Sequence, residues 1–498
     1  MMSDQRYKLH PISAVINFVK GLKELILPFV VLFFANGFNL KENSGQNDFW
    51  LSLIPVGIFL LITIGLLISG IIKWWTYEYW FEEGELRVEY GLFVKKKRYI
   101  PFDRIQSFNY KEGIFHRVFG LVQVMVETAS STSGEAEVIL TAISKEAANR
   151  IEIVTRKQKE EIRHADLQDS PLIVEEIAEP LSRVIHKMTT KELIILATTS
   201  SSMGVVIAGT AAVLSQFAEF IPFERIFEEL SAFIKFGFVI VALSIMAGLF
   251  ITWLAAVVVT FINYYDFTVW EENDRLIITR GLLEKKRVTI PLNRIQAVKI
   301  VENPLRQLFG FATVAVESAS GGFGGDDKKI TLFPLIRKKE LLSPLEELFP
   351  RFNWEPSFTK PPKKAKPFFY RIDFIWLAPV ILASSYWLFP YGLLSFLVII
   401  PAVLIGLWQY KTTGFAINEQ QLTIVYRVFS RVTFHVEKKR IQALESRQSY
   451  FQKRREIATV QVRVMSGMTG ASAKAANLEN ENIEEIMKWF EKSNPTIE

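Results

Sequence analysis

The residues of this chain best suited to chemistry are basic side chains that cluster at a few places, and such clusters can bind anions. Each Lys or Arg held near a bilayer contributes roughly 1 kcal/mol of attraction to anionic headgroups. We therefore treat the clusters as candidate lipid contacts, with a solvated strand face that obeys the positive-inside rule as the alternative. The candidates are Lys95, Lys96, Lys97 and Arg98, then Lys285, Lys286 and Arg287, and finally Lys363, Lys364 and Lys366.

A second pattern is the tripeptide Arg-Ile-Gln, which recurs in three segments that align with one another, IPFDRIQSF, IPLNRIQAV and VEKKRIQAL. In all three, 23 positions separate the arginine from one place on a later strand, which holds Glu127, Glu317 and Arg463. A chance tripeptide would not keep that register, so the chain contains three copies of one unit. Because successive side chains of a strand point to opposite faces, the tripeptide favours a structural role in which its isoleucine points into the core. A shared ligand or an inter-domain contact is the alternative role. The repeated residues are Arg104, Ile105 and Gln106, then Arg294, Ile295 and Gln296, and finally Arg440, Ile441 and Gln442.

The sequence carries no recognisable pattern for catalysis or metal binding. It has no cysteine, which excludes disulfides, thiolate nucleophiles and cysteine-ligated zinc. Its five histidines are scattered without the spacing of a metal pair, and no Ser-His-Asp arrangement can be read. We therefore expect no enzymatic activity, no cofactor, no metal and no nucleic-acid partner.

The elements that must position these residues alternate between apolar and charged stretches. Half of the 498 residues are hydrophobic, yet 22% are charged. An uncharged run of about 20 residues can cross a bilayer core of about 30 Å as a helix. Three runs are strong, and three are short enough that a re-entrant or buried helix is the alternative. The strong runs are 49–72, 193–217 and 236–261, and the shorter ones are 25–40, 374–389 and 391–408.

The distribution of Lys and Arg predicts the side of the membrane on which each segment lies. The loops inside the helix pairs are poor in both, and residues 36–48 contain Lys41 alone. The segments outside the pairs carry the basic clusters at the membrane edge. By the positive-inside rule, both termini and the three large segments are cytoplasmic in a multi-pass protein of the cell membrane.

Each large segment shows several short strand patterns followed by one helical pattern, at 145–162, 338–348 and 483–490. Short antiparallel strands with a terminal helix form a small barrel or sandwich. The predicted order is a first helix pair (1–75), a first β-rich domain (76–165), a linker with the second pair (166–263), a second domain (264–350), a basic linker with the third pair (351–410) and a third, divergent domain (411–498).

A helix pair followed by these strands, an Ile-Pro-x-x-Arg-Ile-Gln segment and a Phe-Gly turn resembles the bacterial membrane proteins with pleckstrin-homology-like (PH-like) domains, of the YdbS/YdbT type. The resemblance implies an α+β membrane protein in which transmembrane helix hairpins alternate with three PH-like β-barrel domains. Each domain would be a bent seven-stranded barrel capped by a C-terminal helix. The resemblance also implies a protein partner, a shorter YdbS-like protein. The third copy departs from the pattern, with Glu437 and Lys438 where proline is expected and Arg455 and Glu456 in place of Phe-Gly.

The favoured function is a membrane-anchored binding or scaffolding protein whose PH-like domains engage partner proteins or anionic lipid headgroups at the cytoplasmic face. Weak sites in series gain affinity through effective concentration. The alternative is a subunit of a membrane export or cell-envelope protection system that works through its six spans. Ionisable residues are nearly absent from the apolar runs, which argues against ion-coupled transport.

Overall fold

The chain folds into three related units, each of which joins apolar helices to small antiparallel sheets. The computed structural model describes residues 6–35, 46–92, 94–128, 136–165, 182–200, 238–319, 330–387, 389, 391–466 and 470–491.

The first copy contains two meanders of three strands that share one core. Leu86, Ile100 and Phe102 pack with Val124 and Leu140, and each of the five is at most 1% exposed. The helix after the last strand completes that core with one face. The elements are β1 (Tyr7–Lys8), α1 (Ile12–Ala35), α2 (Gln46–Thr76), β2 (Glu78–Glu82), β3 (Glu85–Tyr90), β4 (Lys96–Pro101), β5 (Ile105–Glu112), α3 (Ile114–Val118), β6 (Leu121–Thr128), β7 (Val138–Ser144) and α4 (Lys145–Ala165).

The second copy repeats this order. Phe267, Leu276 and Val316 form its core together with Leu345 of the helix that follows the last strand. The elements are β8 (Arg183–Lys187), α5 (Thr190–Thr198), α6 (Phe238–Tyr264), β9 (Thr268–Glu272), β10 (Arg275–Arg280), β11 (Lys285–Pro291), β12 (Ile295–Glu302), α7 (Pro304–Leu308), β13 (Phe311–Ser318), β14 (Ile330–Arg337) and α8 (Leu342–Leu348).

The third copy keeps the two meanders, but its opening strand is reduced to a single bridge between Thr359 and Phe415. Leu422, Phe434 and Ile486 are buried in its core. The elements are α9 (Arg371–Trp387), α10 (Ile399–Thr412), β15 (Gly414–Asn418), β16 (Gln421–Arg427), β17 (Arg431–Glu437), β18 (Ile441–Arg447), α11 (Tyr450–Lys453), β19 (Ile457–Val464), β20 (Ala471–Glu479) and α12 (Asn480–Glu491).

The sheets do not close into the predicted barrels. A 3-10 turn separates the two meanders of each copy and redirects the chain, so that β5 leaves the sheet in which β4 is the last strand. These turns are Phe102–Arg104, Leu292–Arg294 and Lys438–Arg440. Closure would require β4 to pair with β5, whereas the free edge of β5 pairs with the next copy. The prediction of closed barrels is therefore wrong.

Neighbouring copies are joined by antiparallel strand pairing. β5 pairs with β11 in a seven-stranded sheet of order β7-β6-β5-β11-β10-β9-β8, and β12 pairs with β17 in a six-stranded sheet. Glu112 lies opposite Lys285 in the first junction, and Glu302 lies opposite Arg431 in the second. Both glutamates stand eight positions after a repeated arginine, and both basic residues stand nine positions before the next one. The two junctions therefore use one register.

Three helices in the described part of the chain are long and apolar enough to cross a membrane, namely Val56–Thr76, Met246–Tyr264 and Gly392–Thr412. They confirm apolar helices at the predicted runs 49–72, 236–261 and 391–408. Run 374–389 overlaps α9. Runs 25–40 and 193–217 extend outside the described residues, and the six-span arrangement stays a prediction.

The helices of a pair are inserted between the first and second strands of their copy. β1 precedes α1 and α2 yet pairs with β2, and β8 pairs with β9 in the same way. Trp74 Nε1 donates to the Leu9 carbonyl at 2.9 Å and ties the end of α2 to the opening strand. These strands could not be predicted from the sequence, because segments of two and five residues are too short to show a hydrophobic period.

Candidate functional site

The ends of the apolar helices contact a hairpin tip in every copy. Gly91 N donates to Thr76 Oγ1 at the end of α2 over 3.2 Å, and Gln409 Nε2 of α10 donates to the Val428 carbonyl over 3.1 Å. The tip between β10 and β11 makes a backbone hydrogen bond to α6. These tips mark the side of the domains where the helices end, which we call the helix side.

Glycine forms this tip in two copies and arginine takes the corresponding place in the third. Gly91 and Gly281 have φ of +107° and +110°, and a Cβ would lie 2.2 and 2.1 Å from a carbonyl oxygen three residues on. The Arg427 guanidinium instead lies 3.8 Å from the Trp408 ring centroid of α10. Its Nη2 also donates to Gln307 Oε1 of the second copy at 2.7 Å. The third copy thus contacts its apolar helix through the Arg427 side chain, whereas the first two copies form the tip with a glycine in the left-handed conformation.

The first basic cluster lies on β4 and the residue before it, beginning at the helix side. The side chains of residues 94–99 are all exposed, and β4 is the last strand of its sheet. Lys95 and Lys97 pair with Glu89 at 3.4 and 3.5 Å, which leaves Lys96 and Arg98 as further exposed charges. This cluster presents positive charge to the solvent next to the end of α2.

The second basic cluster lies on β11 within the first junction. Lys286 pairs with Glu284 at 3.5 Å, and the Arg287 guanidinium lies 5.6 Å from the Tyr110 ring centroid of the first copy. Both are partly buried, whereas Lys285 remains exposed. The junction therefore covers part of a cluster that sequence analysis treated as an open surface.

The third cluster packs against the third copy. Lys364 pairs with Glu479 at 3.1 Å and with Glu456 at 3.6 Å, within a 3-10 helix (Lys363–Phe369) that buries its aromatic end. Lys363 and Lys366 are exposed. This segment is held on the domain by one lysine and leaves two lysines to the solvent.

A short helix follows β5, β12 and β18, and each one exposes large apolar side chains. Val118, Leu308 and Tyr450 are 73%, 78% and 72% exposed, so these positions add nothing to the cores of their own copies. We call the whole set the apolar helix row. It comprises Ile114, Phe115, Val118 and Phe119 at α3, Leu305, Leu308 and Phe309 at α7, and Tyr450 and Phe451 at α11.

Contacts to the residues next to α1 and α5 place the row on the helix side in the first and second copies. Asn303 Nδ2 donates to the Thr199 carbonyl at 2.8 Å, and Arg306 Nε donates to Thr199 Oγ1 at 3.2 Å, just beyond α5. In the first copy the Phe119 ring lies 6.4 Å from the His10 ring, two residues before α1. The sequence did not predict this row, although its Phe-Gly segments were the available signal.

The opposite side of the domains holds the repeated tripeptides. A strand of the length of β4 spans about 20 Å, so the 3-10 turns lie far from the hairpin tips. Ile105, Ile295 and Ile441 are buried in the three cores, while Arg104 and Gln442 are exposed. A cavity of about 1040 Å³ lies between the copies, and its lining includes Ile105, Gln106, Arg294, Ile295, Gln296 and Arg440.

Two arginines of the repeat stand next to each other in this cavity. Arg440 Nη2 donates to the Asn293 carbonyl at 2.7 Å, and neither Arg294 nor Arg440 pairs with a carboxylate of the described residues. Burial and the charge of Arg440 lower the pKa of Arg294. Gln106 is half-buried there, and neither of its amide atoms has a partner within the described chain. The cavity can therefore accept an anionic or hydrogen-bonding group.

A buried carboxyl group links the first two copies. Glu127 is 8% exposed and accepts hydrogen bonds from Ser107 Oγ at 2.9 Å and Asn109 Nδ2 at 2.7 Å. Asn109 Oδ1 accepts from the Thr289 backbone N–H of the second copy at 3.1 Å. Burial raises the pKa of Glu127 to about 7. Across the described ranges, no three His, Cys, Asp or Glu side chains are grouped to hold a metal ion.

Comparison with known proteins agrees with this architecture. A family model described as Bacterial PH domain matches residues 29–159, 210–348 and 372–493. The UPF0699 transmembrane protein YdbT of Bacillus subtilis (strain 168) is 35% identical over 499 residues, which cover 98% of this chain and 99% of that protein. No solved structure matches the chain. The chain therefore belongs to the bacterial PH domain family, as a membrane protein similar to YdbT.

Proposed function

We propose that this protein is a membrane-anchored binding or scaffolding protein without catalytic activity, whose PH-like domains engage partner proteins or anionic lipid headgroups at the cytoplasmic face. The observation that carries the proposal is the apolar helix row, which lies beside the apolar helices. Exposed apolar side chains on short amphipathic segments are stabilised by insertion into the boundary between headgroups and acyl chains. The three copies would then rest side by side on the bilayer.

The basic cluster of the first copy adds an electrostatic contribution on the same side. Lys95 follows the exposed Val94 at the hairpin tip, so a tip that inserts Val94 brings the lysine to headgroup level. Each basic residue near the surface is worth roughly 1 kcal/mol on an anionic membrane, and the contribution falls off within a Debye length. Lys285 occupies the corresponding position in the second copy and is exposed as well.

A domain that lies on the bilayer with its helix side leaves the opposite side open to the cytoplasm. That side carries the cavity with Arg294 and Arg440. A shorter YdbS-like protein is the partner that the family resemblance suggests for such a surface. Cytoplasmic domains and termini agree with the basic residues at the membrane edge.

The depth of the apolar helix row tests the proposal directly. The full chain carrying Leu308→Cys is labelled with an environment-sensitive fluorophore and reconstituted into nanodiscs that contain lipids with nitroxide headgroups. Strong quenching is expected, because the label would lie in the interface. The matched control is Asn293→Cys, an exposed residue of a 3-10 turn on the opposite side, which should be quenched little. Equal quenching at the two positions would contradict the proposal.

The role of the basic cluster is tested by counting bound lipids. Native mass spectrometry of the chain released from mixed phosphatidylglycerol and phosphatidylcholine nanodiscs should show enrichment of the anionic lipid. Replacing Lys95, Lys96, Lys97 and Arg98 by Gln should reduce that enrichment. The control, Arg351→Gln with Lys439→Gln, removes charges that line the cavity on the opposite side. A control that loses as much anionic lipid as the test variant would count against the proposed contact.

A further inference from the structure

The strand pairing that joins the copies leaves the equivalent junction strand at each end, β4 and β18, without a partner strand from another copy among the described residues. β5 and β12 each pair with the next copy, and β18 is the corresponding strand of the third copy. It is the outermost strand of its sheet, of order β18-β19-β20. At the other end, β4 corresponds to β11 and β17 and is the outermost strand of the sheet β1-β2-β3-β4. Neither outer edge is paired with a strand of the described residues.

We propose that β18 of one molecule pairs with β4 of a second copy of this chain, in the register of the two internal junctions. The interface would continue one that the chain already forms twice with itself. An unpaired strand edge offers a row of N–H and C=O groups that another strand can pair with. Because the two ends are different, the association is head to tail and can extend beyond two molecules.

Equivalent strand residues are covered at the internal junctions and exposed at the two ends of the molecule. Tyr110 and Ile300 lie at one place of the two internal junctions and are covered, whereas the corresponding Ser446 of β18 is exposed. On the opposing strands, Thr433 is 8% exposed, whereas the corresponding Lys97 of β4 is exposed. These positions, which would meet in the proposed contact, are thus exposed at the two ends of the molecule and buried or half-buried at the internal junctions.

The shared register sets the charges that meet in the contact. Glu445 of one molecule would lie opposite Arg98 of the next, and opposite charges at directly opposed strand positions stabilise the pairing. The register also brings two basic residues together, as the first junction does when Lys111 lies opposite Lys286. It places Glu445 opposite Arg98, Ser446 opposite Lys97 and Arg447 opposite Lys96.

The proposed contact is compatible with the membrane. Both internal junctions leave the hairpin tips and short helices on the side where the apolar helices end. Repeating the same junction keeps the next molecule on that side. Pairing leaves Lys95 free for lipid contact, because the corresponding Lys285 remains exposed although β11 is paired. Head-to-tail pairing therefore produces a row of PH-like domains along one bilayer surface.

Engineered cysteines test the contact cleanly, because the chain has none of its own. Directly opposed residues of antiparallel strands have Cα atoms about 4.5–5.5 Å apart, within the range of a disulfide. Full-length molecules carrying Ser446→Cys are co-reconstituted with molecules carrying Lys97→Cys and mildly oxidised. A disulfide-linked dimer should form in the mixture and be absent from either variant alone. Ile300→Cys with Thr433→Cys in one chain is the positive control for the same register.

Three outcomes would overturn the proposal. The first is a mixture that stays monomeric while the positive control forms its intramolecular disulfide. The second is equal dimer formation when Lys97→Cys is replaced by Tyr99→Cys, which shifts the thiol by about 7 Å along the strand. A pure preparation that remains monomeric in nanodiscs large enough for two molecules would also show that β18 does not bind a second copy.

Discussion

Glu302 at the end of β12 lies opposite Arg431 at the start of β17, with Glu302 Oε1 and Arg431 Nη1 3.7 Å apart. Lys338 also pairs with Glu302, at 3.3 Å. The carboxylate is 4% exposed and is shared by two cations from different copies. Because Glu112 and Lys285 meet in the same register in the first junction, a glutamate and a basic residue mark both boundaries between copies.

Replacing Glu302 by Gln is expected to lower the stability of the second junction by about 1–3 kcal/mol, because a nearly buried carboxylate that neutralises Lys338 and Arg431 is lost. The measurement is unfolding of the detergent-solubilised chain followed by tryptophan fluorescence. The control is Glu484→Gln, which removes an exposed i,i+4 pair with Lys488 and should change stability by less than about 0.5 kcal/mol. An equal effect of the two variants would contradict this role for Glu302.

The pH dependence of stability should contain a contribution from Glu127. Its folded pKa of about 7 lies above the ordinary value of about 4.3, so the folded state binds the proton more tightly between these values. Stability therefore falls as pH rises through that window, by on the order of 3 kcal/mol in total. Glu127→Gln keeps a polar group for Ser107 and Asn109 but removes the titration, so it should raise the unfolding temperature at pH 8 more than at pH 5.

The matched control for that experiment is Glu484→Gln, which replaces an exposed glutamate of α12. It should leave the difference in unfolding temperature between pH 5 and pH 8 as in the unmodified chain. A Glu127→Gln variant with the unmodified pH profile would show that the buried carboxyl group does not titrate in this range.

Two glycines on α2 should respond differently to substitution by alanine. A Cβ on Gly70 would lie 2.8 Å from the Ala14 carbonyl oxygen of α1, so Gly70→Ala should separate the helices and cost about 1–3 kcal/mol. Gly65 has no atom within 4 Å of such a Cβ, and Gly65→Ala should be neutral or stabilising by up to about 1 kcal/mol. Thermal unfolding of the two variants in the same detergent gives the comparison. Equal destabilisation would mean that α1 and α2 do not pack as described.

The third copy should be stabilised by restoring a glycine. Glu456 has φ of +54° at the place where Gly120 and Gly310 have +64° and +71°. The left-handed conformation costs a residue with a side chain about 1–2 kcal/mol. Substitution by glycine removes this cost, but the greater entropy of glycine in the unfolded state offsets part of the gain. Glu456→Gly should therefore raise stability by about 0.5–1 kcal/mol.

Glu456→Ala is the control for that substitution, because it removes the exposed carboxylate near Lys364 without relieving the backbone. It should bring no gain in unfolding temperature. If alanine stabilises as much as glycine, the gain comes from the lost charge and the positive φ of Glu456 does not destabilise the third copy.

Some features followed from the sequence because they depend on local properties. The spacing from Arg104 to Glu127 recurs in the other copies, and Glu127 and its two counterparts all lie on strands of the structure. The apolar helix Val56–Thr76 follows from hydropathy alone. By contrast, the covered position of Arg287 could not be predicted, because its neighbour Tyr110 belongs to another copy. The exposure of Leu308 also escaped prediction, since an apolar residue after a strand is as compatible with a core as with a surface.

The sequence by itself determined the number of copies, the positions of three apolar helices and the family, because composition and period act over short distances along the chain. Only the tertiary structure decided which strand edges meet. Glu112 and Lys285 face each other across a long stretch of chain, and their pairing depends on the direction that the 3-10 turn Phe102–Arg104 gives to β5. A backbone edge carries the same N–H and C=O groups whatever the side chains are, so its choice of partner is a property of the whole fold.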